Sequence, residues 1–271
     1  MKKMILSAAL FFAAYGVNAQ GLYGDVSVGY GLGAPNYVMG TNEYRDFGDP
    51  SKNTEENIYG SIGQGLNLAL TPGYMINEHF GLELGINYFM GAKKRVEEFN
   101  SSNDKVYSFR DAQSNQLRLI PSLVVSSGTS NKLSVYAKGG LMIPVLGVTN
   151  ISIEGSSTTN FVTYTKSEVE TEFKGKVSLG FRGALGVNYK LNDNMSLFGE
   201  LQQTNLFIKQ DKNTIVSYKV NGSDIMNTLT DEQKETVYVD KLDAGSAANK
   251  ALAGKTNFNQ FGFNVGLKWN F

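Results

Sequence analysis

From residue 22 onward, apolar residues alternate with small or polar ones, the period-two spacing of strands whose two faces meet different surroundings. In the first run Leu22, Val26, Val28, Tyr30 and Leu32 share one face, and Tyr23, Asp25, Ser27, Gly29 and Gly31 the other. The second sets Ile62, Leu66, Leu68, Leu70 and Tyr74 against Gly63, Gly65, Asn67, Thr71 and Gly73. The third sets Phe80, Leu82, Leu84, Ile86, Tyr88 and Met90 against Gly81, Glu83, Gly85 and Asn87. Further runs are predicted over 116–125, 133–145, 177–191 and 195–205. The eighth is the clearest, with Phe261, Phe263, Val265, Leu267, Trp269 and Phe271 opposite Gln260, Gly262, Asn264, Gly266, Lys268 and Asn270. Runs of about 9–15 residues are long for soluble strands and sufficient to cross a bilayer when tilted.

Charge decides which face meets which medium. Asp25, Glu83, Arg118, Lys138, Arg182, Lys190, Glu200 and Lys268 all fall on the small/polar face of their runs. Glycine follows the same face, with Gly24, Gly139, Gly183 and Gly199 as exceptions. A Lys or Arg facing lipid at mid-bilayer costs about 2–4 kcal/mol, so this segregation fits apolar faces toward lipid and a crowded polar interior. Small inward residues would leave room for Arg182, Tyr136 or Phe198. The competing arrangement is a soluble barrel or sandwich with the apolar face inside. Its solvated face would normally be rich in Lys and Glu, whereas here it is Gly, Ser and Asn with a few charges of both signs.

Connector lengths give an independent signal. Short turns at Asn77-Glu78-His79, 126–132 and Asn192-Asp193-Asn194 alternate with long links over 33–60, 91–114, 147–175 and 206–257. Strict short–long alternation is the pattern of an up-and-down membrane barrel, with short turns periplasmic and long loops outside. The expectation is an all-β fold: an eight-stranded antiparallel up-and-down transmembrane β-barrel with long extracellular loops and both termini periplasmic. Polar strand-like stretches at 161–173, 214–220 and 236–241 should extend hairpins beyond the membrane instead of adding wall strands; a ten-stranded wall is the alternative. The turn segments 74–82 and 189–197 resemble each other, each reading Tyr, an Asn-led turn and an apolar restart.

The N-terminus differs from the rest. Met1-Lys2-Lys3, an apolar stretch over 4–15 and Val17-Asn18-Ala19 read as a secretory signal peptide cleaved between Ala19 and Gln20. That gives 1–19 as signal peptide and 20–271 as barrel; a buried N-terminal helix is the alternative. The net charge of zero argues against a nucleic-acid partner. The absence of Cys removes disulfides, thiolate metal sites and Cys nucleophiles.

The whole span after residue 19 resembles the small outer-membrane β-barrel proteins of Gram-negative bacteria, the OmpA/OmpX-like group. The most specific piece is the terminus, where Asn264, Gly266, Trp269 and Phe271 match the group's C-terminal assembly signal. The resemblance implies recognition by the barrel-assembly machinery during biogenesis, and a home among outer-membrane lipid and lipopolysaccharide. The sequence stops at the last strand, so the OmpA peptidoglycan-binding domain has no counterpart in it. Outward aromatics would form two belts: Tyr74, Phe80, Tyr189, Trp269 and Phe271 at one rim, Tyr30, Tyr88 and Phe261 at the other.

No catalytic, metal or cofactor set emerges. His79 is the sole histidine and sits in a predicted turn, which disfavours a His-dependent triad. The inward charges Asp25, Glu83, Arg118, Lys138, Arg182 and Glu200 form a candidate interior network; the resembling OmpA barrel has an interior pairing of this kind, proposed as a gate. Against it stands mutual satisfaction of charges in a tight lumen. The long links hold about 130 residues, more than connection requires. They suggest a surface or outer-membrane protein partner, and Lys93-Lys94-Arg95 could meet lipopolysaccharide phosphates. The expected role is structural or surface interaction, with a narrow, gated porin-like channel for small solutes as the alternative.

Overall fold

The eight alternating runs pair edge to edge into one closed wall. The structure, a computed structural model, describes residues 21–128, 132–243, 245 and 247–271; the proposed signal peptide and the Ala19/Gln20 cleavage point lie outside them. The wall strands are β1 (Leu22–Gly33), β4 (Gly65–Met75), β5 (Phe80–Gly91), β7 (Tyr107–Ser126), β8 (Leu133–Thr158), β10 (Gly180–Lys190), β11 (Met195–Asn205) and β17 (Gln260–Asn270). Between them, beyond the loop end of the wall, lie β2 (Val38–Arg45), β3 (Thr54–Tyr59), β6 (Lys94–Ser101), β9 (Tyr164–Gly175) and β12 (Phe207–Val220). Shorter pieces there are β13 (Ser223–Asp224), β14 (Glu235–Val239), β15 (Lys250–Leu252) and β16 (Lys255–Asn257).

Each wall strand pairs antiparallel with its neighbours, and β1 closes the circle by pairing with both β4 and β17. The count is eight, and the extra strands extend the loops as the sequence predicts. Tracing partners across the wall from Ser134 leads through Asn188, Phe198, Gly266, Ser27, Ala69, Asn87 and Arg118. The path returns to β8 at Pro144, ten residues beyond Ser134. That stagger tilts eight strands by roughly 40° to the barrel axis. An eleven-residue strand at this tilt rises roughly 27 Å, close to the apolar band of an outer-membrane barrel.

The faces segregate as predicted. Leu70, Leu123, Leu185, Leu201, Phe263 and Val265 are exposed on the outer surface, while Asp25, Glu83, Arg118 and Glu200 are buried. Three inward aromatics each lie over a glycine directly across the strand pair: Tyr23 over Gly73, Tyr136 over Gly186 and Phe198 over Gly266. A Cβ at any of the three would run into the ring. The outward glycines Gly139, Gly183 and Gly199 would meet nothing within 4 Å. Ile62 departs from the expectation. It lies before β4 and is buried, turned into the barrel mouth instead of outward. Its run starts three residues later because Gly65 begins the paired strand.

The two similar turns fold alike. Ile76 and Asn77 both donate to the Phe80 carbonyl, at 2.8 and 3.3 Å; Leu191 and Asn192 both donate to that of Met195, at 2.9 and 3.2 Å. In each, the Asn side chain accepts backbone N–H bonds from residues that follow. His79 is exposed in the first turn, its Nδ1 3.1 Å from the Ser126 carbonyl oxygen.

At the other end the wall continues as a sheet. β7 and β8 stay paired out to Tyr107 and Ser156. β9 and β12 add on one side, and β6, β2 and β3 on the other, with β2–β6 parallel. Beyond Val145, β8 runs about thirteen more residues, roughly 40 Å along the strand.

Candidate functional site: the barrel lumen

The tilt places the inward charges in two tiers. The lower tier, nearer the turn end, centres on Lys138, whose Nζ lies 3.0 Å from Glu83, 3.4 Å from Glu200 and 3.9 Å from Asp25. Arg182 also pairs with Glu200, and its Nε donates to Gln202 at 2.7 Å. Neutral groups complete the carboxylates' hydrogen bonding: Tyr23 donates to Glu83 at 2.6 Å, and Tyr136 and Asn264 donate to Glu200 at 3.3 and 3.0 Å. Lys268, opposite Asp25 across β1–β17, sits 3.5 Å from the centroid of the Tyr23 ring. Asp25, Glu83 and Glu200 are thus balanced by Lys138, Arg182 and Lys268.

Voids here are of water size. One, about 30 Å³, lies under the tier among Glu83, Tyr136, Lys138 and Lys268. Another, about 20 Å³, lies above it among Asn87, Ile120, Arg182 and Glu200. Each has room for a water or two but not for a continuous solvent path.

Of the six charges expected in one network, five meet. Arg118 does not. It is fully buried higher in the barrel, its guanidinium 4.0 Å from the centroid of the Phe89 ring and its Nε donating to Gln116 at 2.8 Å. The physical reason is the tilt. Arg118 faces inward like the others, but four residues above Ser122, the partner of Glu83.

Around and above Arg118 the lumen is closed toward the loop end by an apolar cap that the alternation did not predict. Ile62, Ala112, Ile120, Met142, Leu206, Ile208 and Phe258 pack together inside. Leu206 and Phe258 flank the tops of β11 and β17 and are pinned to each other by a 2.9 Å backbone bond. Asn259 Oδ1 accepts the Leu206 N–H at 2.7 Å. For Ile62, Leu206 and Phe258 the available sequence signal was a large apolar residue just beyond a wall-strand end, where the lipid-facing pattern stops.

The C-terminal residues separate by face. Asn264 is a buried ligand of Glu200 and Gly266 makes room for Phe198, while Trp269 and Phe271 lie on the outer rim. The Phe271 N–H bonds to the Leu22 carbonyl at 3.0 Å, tying the two ends of the barrel together. The basic cluster is mostly engaged: Lys93 and Arg95 pair with Asp111 at 3.2 and 2.6 Å. Burial opposes the Asp111 charge, but these two cations outweigh it and hold the carboxyl below its ordinary range. Lys94 alone of the three makes no ion pair among the described residues. Nor do the described residues hold any group of three or more side chains able to bind a metal ion.

The sequence matches the outer membrane protein beta-barrel domain over residues 4–271. No curated protein matches it by sequence. Among solved structures, Neisserial surface protein A is similar at 12% identity, covering 92% of this chain and 97% of its own, with a TM-score of 0.41. OprG from Pseudomonas aeruginosa is similar at 14% identity, covering 93% and 96%, with a TM-score of 0.43. The E. coli outer membrane protein W is similar at 12% identity, covering 94% and 100%, with a TM-score of 0.32. With a closed eight-stranded wall, an apolar outer band and a family match across nearly its whole length, the chain belongs to the outer membrane β-barrel protein family.

Proposed function

We propose that this barrel is a closed anchor that holds a β-sheet platform at the bacterial surface for contact with another molecule. The observation that carries this reading is the continuation of β7 and β8 far beyond the membrane band, with β9, β12, β6 and β2 ordered against them. A wall built only to cross a bilayer needs none of that sheet. The apolar cap and the self-neutralised charge tier support the same reading, since together they fill the lumen from both ends. In this proposal the short turns and both chain ends face the periplasm, the outer rim sits in lipid and lipopolysaccharide, and the C-terminal residues serve the barrel-assembly machinery.

The test is conductance of the purified, folded barrel in planar bilayers. The anchor predicts no stepwise current at low voltage; reproducible open-channel steps would overturn it. A narrow gated channel is the second reading, favoured by the two voids flanking the Lys138 tier. It predicts current that rises when Lys138 is replaced by Met.

A further inference from the structure

Among the described residues, Arg118 is the buried lumen charge with neither an ion pair nor a carboxylate opposite it across a strand pair. The lower tier balances internally, three carboxylates against three cations, so the barrel interior carries one net positive charge, located at Arg118. Both terminal nitrogens of its guanidinium are buried and lack any hydrogen-bond partner. No Asp or Glu among the described residues lies within ion-pair distance of it. The Phe89 ring and the single bond to Gln116 are weak compensation for a permanently charged group taken out of water.

The neighbourhood is also short of acceptors. Corrected for the stagger, the inward positions level with Arg118 are Phe89, Asn67, Met142, Thr204 and Gln260. Two of these hold further unpartnered polar atoms, Gln260 Nε2 and Thr204 Oγ1. The Gln260 carbonyl is already taken by Asn67, at 3.5 Å. One guanidinium and one amide therefore present free N–H groups at one height, with a hydroxyl able to donate beside them. The unpartnered acceptor nearby, Asn87 Oδ1, is neutral and leaves the charge unbalanced.

We propose that Arg118 binds one small monovalent anion of the halide class inside the barrel, with Gln260 and Thr204 as further donors. The enclosure sets the size. Arg118, Thr204 and Gln260 are each no more than 2% exposed, and the apolar cluster packs around and above them. Such tight burial favours a monatomic halide over larger oxyanions and organic acids. The ion is occluded, so it neutralises the interior without passing through it. This inference is independent of the surface role, because it concerns the lumen alone.

Two measurements on the full folded barrel test it. Crystals grown with sodium bromide in place of chloride should give an anomalous bromine peak in the lumen, in contact with the terminal nitrogens of Arg118. Unfolding of the detergent-solubilised barrel should depend on chloride when compared with gluconate, too large to enter, at equal ionic strength. At a chloride concentration ten times the dissociation constant, the folding equilibrium should shift about elevenfold toward the barrel. Arg118→Met should abolish that dependence. A lumen free of bromine signal, or an unchanged chloride dependence in Arg118→Met, overturns the proposal. If Arg118→Met does not fold, the bromide experiment on the unaltered protein decides alone.

Discussion

Replacing Lys138 with Met should be among the most damaging single changes in the wall. Its ammonium is shared by Glu83, Glu200 and Asp25, at 3.0, 3.4 and 3.9 Å, and its side chain is only 9% exposed. Met keeps most of the volume and removes the charge, leaving three buried carboxylates facing two cations. Removing one partner of a buried ion pair costs about 3–5 kcal/mol, because the remaining charge stays desolvated. Arg182 and Asn264 still hold Glu200, so the uncompensated group is Glu83, left with the Tyr23 hydroxyl. Adding Glu83→Gln should therefore restore most of the loss, with a coupling energy of at least about 2 kcal/mol. The readout is urea unfolding in detergent micelles, followed by fluorescence of the single tryptophan, Trp269, on the rim of β17. A loss below about 1 kcal/mol in Lys138→Met, or no rescue by Glu83→Gln, would mean that lumen water screens these charges, and the tight-lumen argument would fail.

Other outcomes follow from the same geometry. Gly186→Val should prevent folding or displace Tyr136, whereas Gly183→Val, pointing into open space on the outer face, should leave refolding yield intact; equal tolerance at both sites would contradict the assigned faces. Phe258→Ala empties the centre of the apolar cap and should cost about 3–5 kcal/mol in the same unfolding assay; a cost near zero would show that the cap is not packed in the folded barrel. The loop sheet should loosen in acid. Asp111 is held below its ordinary range by Arg95 and Lys93 against opposing burial, and Glu168 by its hydrogen bond and charge pairing with Lys166. Folding thus favours the charged forms. Their contribution is complete above about pH 5 and is lost as pH falls through the depressed folded values. Amide exchange in β6 and β9, corrected for intrinsic rate, should be faster at pH 2.5 than at pH 6, and unchanged protection would refute it.

The wall was legible in the sequence because lipid on one side and a narrow lumen on the other impose opposite demands on alternate residues. That is why Leu185 and Arg182, three apart, could be assigned to opposite faces with no structure at all. Height was not legible. Alternation tells which way Arg118 points but not how far up it sits, since depth depends on a ten-residue stagger that only the pairing register reveals. The single expected network therefore became a balanced lower tier and an isolated arginine. The cap was missed for a related reason. Ile62, Leu206 and Phe258 lie where the lipid pattern ends, and there an apolar residue can turn inward as readily as out. In the loop sheet neither face meets lipid, so the parallel pairings β2–β6 and β14–β15 left no periodic trace.

The orientation of the wall is the claim on which everything else rests, and the cysteine-free sequence makes it directly testable with single spin labels. Labels at successive positions along β17 from Phe261 to Lys268, in liposomes, should alternate. Those at Phe261, Phe263, Val265 and Leu267 should collide freely with dissolved oxygen and be shielded from a polar nickel relaxant. Those at Gly262, Asn264 and Gly266 should be shielded from both. Polar relaxant reaching Phe263 and Val265 as easily as a loop site, or no period-two alternation along the strand, would contradict the account.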